Sequence, residues 1–109
     1  MAVPRLNIAL TLETGERQPD GMGGYRVIWR PLGVVAARMQ AGPGRLRGAE
    51  AGPESVSRWT ITLRAFPPGD PRRPAPGQRL RLGDRLFRID TVAEAGTMGR
   101  HLTIAALEE

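Results

Sequence analysis

Few side chains in this sequence could do acid–base or nucleophilic chemistry. Among 109 residues there is one histidine, His101, and no cysteine. One imidazole forms neither a catalytic triad nor a multi-histidine metal site unless partners can be named for it. Followed by Leu102, Thr103 and Ile104, it reads as the outward residue of a strand. Asp84 and Asp90 are the nearest thing to a carboxylate pair. Two carboxylates work as acid and base only where a cleft shifts their pKa values. Here each has an arginine close by, Arg85 and Arg88, so a turn position and a cross-strand ion pair are expected instead. Gly21-Met22-Gly23-Gly24 has the glycines of a phosphate-cradling loop. It lacks the Lys-Ser/Thr and the helix that such a loop needs, so it is expected to shape a turn. Without cysteine, disulfides, thiolate zinc sites and thiol catalysis are excluded. The expectation is a protein that is not an enzyme and uses no metal or cofactor.

Other residues could bind without reacting. Trp29 and Trp59 could stack on the bases of single-stranded nucleic acid, as in OB-folds. Each lies on the apolar register of its segment, so a core position is expected for both. The net charge is +5, and all 16 basic residues are arginine. Guanidinium groups grip phosphate in a bidentate fork. The accompanying wealth of Ala, Gly and Pro favours a compositional bias as the simpler cause of the Arg excess. Residues 41–77 carry six arginines against three acids, and residues 78–109 carry five of each. The middle of the chain therefore leads in positive charge, a mild pointer to a polyanion nearby. No run of 18 apolar residues is present to span a membrane. The N-terminus lacks the apolar run of a secretory signal, so cytoplasmic synthesis is expected.

The elements that position these residues are short alternating stretches between Gly and Pro breaks. Leu6, Ile8, Leu10 and Leu12 alternate with Asn7, Ala9, Thr11 and Glu13, predicting a half-buried strand. Residues 14–24, with Gly15, Pro19, Gly21, Gly23 and Gly24, read as a loop. Tyr25, Val27 and Trp29 alternate with Arg26, Ile28 and Arg30. Pro31-Leu32-Gly33 then interrupts the run, which predicts a bulge or sheet edge before Val34–Met39. Residues 40–57 form a long Gly/Pro-rich segment with room for at most a short helix. Trp59, Ile61, Leu63 and Ala65 alternate next. Phe66 to Gly77 holds five prolines, predicting an extended, polyproline-like course with Arg72-Arg73 in solvent.

The clearest signal is the hairpin of residues 79–93. Leu80 and Leu82 enter, Gly83-Asp84 turn, and Phe87, Ile89 and Thr91 return on the same face. Leu102, Ile104 and Ala106 make the last strand. The whole predicts a single all-β domain, residues 1–109, built as a small barrel of five or six strands with two long loops.

In this order and spacing the chain resembles the head–tail adaptor family of tailed bacteriophages and phage-like particles, in particular head-closure, or stopper, proteins. The residues that carry the resemblance are Leu6–Leu12, Asp20-Gly21-Met22-Gly23-Gly24 followed by Trp29, and Val34-Val35-Ala36-Ala37 running into Gly42. Trp59–Arg64 follows, then Gly83-Asp84-Arg85-Leu86-Phe87-Arg88-Ile89 with Val92, and Leu102-Thr103-Ile104. The resemblance implies a ring, commonly of twelve subunits, between a portal-bound adaptor and the tail terminator or tail tube. Such a ring closes the exit channel on packaged double-stranded DNA and docks the tail. The Arg, Ala and Gly content suits a phage or a gene transfer agent of a GC-rich host. Carried over by position, the loop that faces the lumen is residues 40–57, with Arg45, Leu46, Arg47 and Glu50 as its lumenal side chains. Arg72 and Arg73 would sit in a loop touching a neighbouring subunit or ring. The competing readings are a tail-completion or terminator protein, and an OB- or SH3-like nucleic-acid-binding module.

Overall fold

The computed structural model describes residues 5–42 and 57–109. Among these described residues six strands run in chain order: β1 (Ile8–Pro19), β2 (Tyr25–Ala41), β3 (Ser57–Arg64), β4 (Arg79–Leu82), β5 (Arg85–Ala95) and β6 (His101–Glu108). All pairings are antiparallel, and the order β1-β2-β3-β6-β5-β4 closes because β4 also pairs with β1. The expected all-β barrel is what forms, with no helix among the described residues. None of those residues belongs to a helix long and apolar enough to cross a membrane.

Alternation builds the core. Leu10 and Leu12 of β1, Val35 and Ala37 of β2, Ile61 and Leu63 of β3, and Leu80 of β4 point inward. Phe87 and Ile89 of β5 and Leu102, Ile104 and Ala106 of β6 complete it. The hairpin of β4 and β5 turns on Gly83-Asp84, with Leu82 opposite Arg85. Gly83 has φ of 61°, a left-handed conformation that a side chain would strain.

Four expectations are corrected. First, residues 14–19 are not loop. They extend β1 and pair with Tyr25–Arg30, leaving a turn of residues 20–24. Cross-strand hydrogen bonds along this hairpin override the local breakers, and Pro19 sits at the strand end where no ladder bond is lost. Second, the bulge expected at Pro31-Leu32-Gly33 forms, but the strand runs on through it. Leu12 pairs with Gly33 and Glu13 with Pro31, so Leu32 is the extra residue of a bulge inside one continuous strand. Third, Thr91 does not face the core. β5 carries its own bulge between Ile89 and Thr91, which turns Val92 inward and leaves Thr91 exposed. Fourth, residues 66–77 do not run as extended polyproline. They fold into successive turns, with Asp70 N–H donating to the Pro67 carbonyl and Arg73 N–H to that of Asp70.

The unexpected length of β1 and β2 gives the molecule its shape. β4 reaches only Thr11–Glu13 of β1, and β3 reaches only Ala37–Ala41 of β2. Residues 14–31 therefore leave the barrel as a two-stranded arm. A 17-residue strand spans about 56 Å at roughly 3.3 Å per residue, and the longest dimension of the molecule is 55 Å.

Barrel and arm should differ in their response to truncation. Phe87 is fully buried, so Phe87→Ala is expected to destabilise by about 3–5 kcal/mol through lost burial and a cavity. Tyr25 in the arm is 62% exposed, and Tyr25→Ala is expected to cost less than about 1 kcal/mol. Urea denaturation of the two variants measures both.

Candidate functional site

The arm has two unlike faces. Residues paired across it share a face, which puts Pro19, Arg17 and Gly15 with Tyr25, Val27 and Trp29. The other face carries Gln18, Glu16 and Thr14 with Arg26, Ile28 and Arg30, and an Arg30–Glu16 ion pair crosses it. The first face is apolar and aromatic. Arg17 lies over the Tyr25 ring at 4.5 Å. Its apolar character continues along β2 through Pro31 and, beyond the bulge, Val34 and Ala36, all exposed.

Among the described residues, five of the six large hydrophobic side chains that stand exposed lie on this hairpin or along β2: Met22, Tyr25, Val27, Ile28 and Val34. Their concentration on one element distinguishes them from scattered surface apolar residues. At the tip, the Asp20 carboxylate accepts hydrogen bonds from the Met22 and Gly24 amides at 2.7 and 3.0 Å. These two N–H donors hold its pKa below the usual aspartate value. The glycines that hinted at a phosphate loop thus serve an Asx-type turn, which leaves Met22 90% exposed at the apex.

The base of the arm is fixed to the barrel by a charged stack. Glu13 lies on the outer face of β1, where alternation places it, but it is only 6% exposed. Arg79 Nε donates to Glu13 Oε1 at 2.6 Å, and Arg81 Nε donates to Oε2 at 3.1 Å. Burial pushes the Glu13 pKa up, and the hydrogen bonds and charges of the two arginines outweigh it, leaving the carboxyl below its usual range. The Arg79 guanidinium lies 4.1 Å from the centroid of Trp29, and Arg88 covers the same ring at 5.3 Å. Trp29 packs over Gly15, where an added Cβ would meet its ring at 3.4 Å. An open groove of about 440 Å³ runs beside it, lined by Gly15, Val27, Trp29, Pro76, Gln78 and Arg88.

Trp29 is therefore not the core residue expected from its register; it is half-buried between arginines on the outer surface. Trp59 does pack on the core. It meets Phe87 edge-to-face at 5.7 Å and donates from Nε1 to Glu108 at 3.0 Å. A ring so engaged is unsuited to stacking on a base. Glu108 also takes a two-pronged contact from Arg85, at 2.8 and 3.0 Å.

Asp84 takes the expected turn position between β4 and β5, while the cross-strand ion pair expected of Asp90 does not form among the described residues. Arg85 and Arg88 turn to Glu108 and Glu109, and both aspartates are exposed. His101 is half-buried at the start of β6, opposite Arg64 and Ala95. Arg72 is not simply solvated. It pairs with Asp70 at 3.0 Å and covers Phe66, while Arg73 donates to the Phe66 carbonyl. Arg45, Leu46, Arg47 and Glu50 lie outside the described residues. On the described side of that segment, Gly42 N–H donates to the Arg58 carbonyl. No cluster of metal-ligating residues occurs among the described residues.

The family model described as phage head completion protein matches residues 1–109. A chain from a structure of the virion of a native gene transfer agent (GTA) particle is 45% identical, with a TM-score of 0.82. The match covers 98% of this chain and 97% of that one. No curated protein matches.

The Glu13 clamp makes stability depend on acid pH. Because its pKa is lowered by folding, its contribution is fully present above the ordinary glutamate value of about 4.3 and is lost as pH falls through the folded value. Thermal melting at pH 7 and pH 3 should show Glu13→Gln destabilised at the higher pH and nearer the parent protein at the lower.

Proposed function

The chain belongs to the phage head completion protein family, and from that membership we propose that it is the head-closure ring, or stopper, of a tailed phage-like particle. Its role is structural and belongs to the virion. The observation that carries the finer reading is the full-length likeness to a chain of a gene transfer agent virion. Identity at that level over nearly every residue covers the arm and loops as well as the core.

In this reading, copies of the chain, twelve by analogy, assemble between a portal-bound adaptor and the tail terminator or tail tube. No bond is made or broken and no cofactor takes part. The barrel serves as a rigid ring segment, and the arm supplies the adaptable contact. The segment between β2 and β3 faces the lumen, where Arg45 and Arg47 would meet phosphate without regard to sequence. Leu46 and Glu50 would share that wall. The turn-rich loop holding Arg72 and Arg73 contacts the next subunit or ring.

Deleting the gene in the producing cell and imaging the particles tests the reading. Tailless heads that leak or lack DNA, beside free tails of normal length, are expected. Normal tailed particles would contradict it, and free tails of irregular length would favour a tail terminator. An Arg45→Glu/Arg47→Glu variant is expected to lower the share of DNA-filled heads. Normal filling in that variant would remove the lumenal role of the pair.

A further inference from the structure

Along residues 25–36, β2 has β1 on one side and no described strand on the other, because β3 reaches only Ala37–Ala41. The turn at the arm's tip decides which backbone groups face that open side. Asp20 N–H donates to the Gly24 carbonyl, and bonded and non-bonded pairs alternate along an antiparallel ladder. Pro19–Tyr25, Arg17–Val27 and Gly15–Trp29 are therefore non-bonded pairs, whose N–H and C=O groups point away from the hairpin. The prolines agree. Pro19 and Pro31 both stand at such outward positions, where the ladder loses no N–H. Tyr25, Val27 and Trp29 thus turn their backbone donors and acceptors to the lane that β3 does not enter.

The side chains along this edge are of two kinds. Tyr25, Val27 and Trp29 stand on the apolar face of the arm, and Arg26, Ile28 and Arg30 on the other. Arg30 is tied to Glu16, whereas Arg26 is exposed and forms no ion pair among the described residues. A strand laid antiparallel to β2 would meet apolar surface with alternate side chains and this cation with one of the others. The arm of a second copy is not that strand. Arms pointing the same way around a ring and zipped edge to edge would stand about 10 Å apart, two strand spacings. The narrowest extent of one chain is 25 Å, so the barrels at their roots would collide.

We propose that residues 25–31 of β2 take an added strand from a different structural protein of the particle, an extended segment with apolar side chains beside Tyr25, Val27 and Trp29 and an acid beside Arg26. This rests on the head-closure reading above and adds to it the edge by which the ring holds a neighbour. Main-chain hydrogen bonds supply the attachment, and the alternating side chains supply the selectivity. Arg26 serves both states. It deters unselected strands in the free chain, and the acid matches it in the complex.

Proline at position 27 tests the edge. The Val27 N–H faces the open lane, so Val27→Pro leaves the ladder to β1 intact, and the isolated protein is expected to melt close to the parent. In cells that carry only this variant, the yield of DNA-filled tailed particles is expected to fall about tenfold or more, because a carbonyl of the added strand is left unsatisfied. Arg17→Pro removes the matching N–H on the other edge of the arm and is expected to assemble like the parent. Normal yield from a folded Val27→Pro, or an equal loss from Arg17→Pro, would overturn the proposal.

Should Val27→Pro fail to fold, p-benzoylphenylalanine in place of Tyr25 maps the contact in purified particles under ultraviolet light. The expected product is a cross-link to one segment of another particle protein, with apolar residues at alternate positions and an acid between them. A cross-link to a second copy of this chain, or no intermolecular cross-link, would overturn the proposal. Mass spectrometry of wild-type particles separates the two levels. Absence of this chain from them would sink the head-closure reading, and its presence without the cross-link would sink only the choice of edge.

Discussion

Closure of the barrel depends on a seam only three residue pairs long, Thr11–Arg81, Leu12–Leu80 and Glu13–Arg79. Backbone pairing so short would leave β4 loosely held. One carboxylate reinforces it, since Glu13 on β1 bonds both Arg79 and Arg81 on β4. A half-satisfied buried charge is costly, but here both carboxylate oxygens are engaged and the positive charges outnumber the negative. The surplus is directed at Trp29, whose ring accepts Arg79 and Arg88. Seam, arm base and β5 are thereby linked in one contact network on the outer surface.

That network explains how a two-stranded arm can project from a small barrel. An isolated hairpin is marginal in water. This one is fastened at its root by Trp29 and at its tip by the Asp20 turn, while its edges and apolar face stay open. The division suits a head completion protein. In the proposed role, a preformed core keeps the subunit's shape during assembly, and the open apolar face of the arm is covered in the particle. The open edges also explain the charge along the arm, because arginines flanking an unpaired strand discourage indiscriminate sheet extension.

The barrel was legible because its signals are local. Period-two alternation placed Leu10, Leu12, Ile61, Leu63, Leu80 and Phe87 inside, and Gly83-Asp84 marked the tightest turn. What the alternation could not reveal lies in long-range pairing. Gly15 and Pro19 look like breakers until Trp29 and Tyr25 are known to sit opposite them. The bulge at Leu32 was foreseeable from its neighbouring proline and glycine. The one near Asp90 has no such marker, so Thr91 and Val92 exchanged places. Glu13 kept its predicted face, but its burial comes from Arg79 and Arg81, more than sixty residues away. Trp29 looked like core for a related reason, since an aromatic in an alternating run gives no sign that two arginines will cover it. The resemblance in motif order located the family, whereas residues 14–19, the first strand of the arm, read as loop and only Tyr25–Arg30 read as strand.

The central claim is that the barrel stands on its own while the arm is completed by assembly. Amide hydrogen exchange, read residue by residue in the isolated protein and in purified particles, tests it most directly. Slow exchange is expected for the core strands in both states. Amides of residues 14–31 that face the open edges should exchange fast in the free protein and slowly in the particle. Arm amides as protected as the core before assembly, or still unprotected within the particle, would contradict the account.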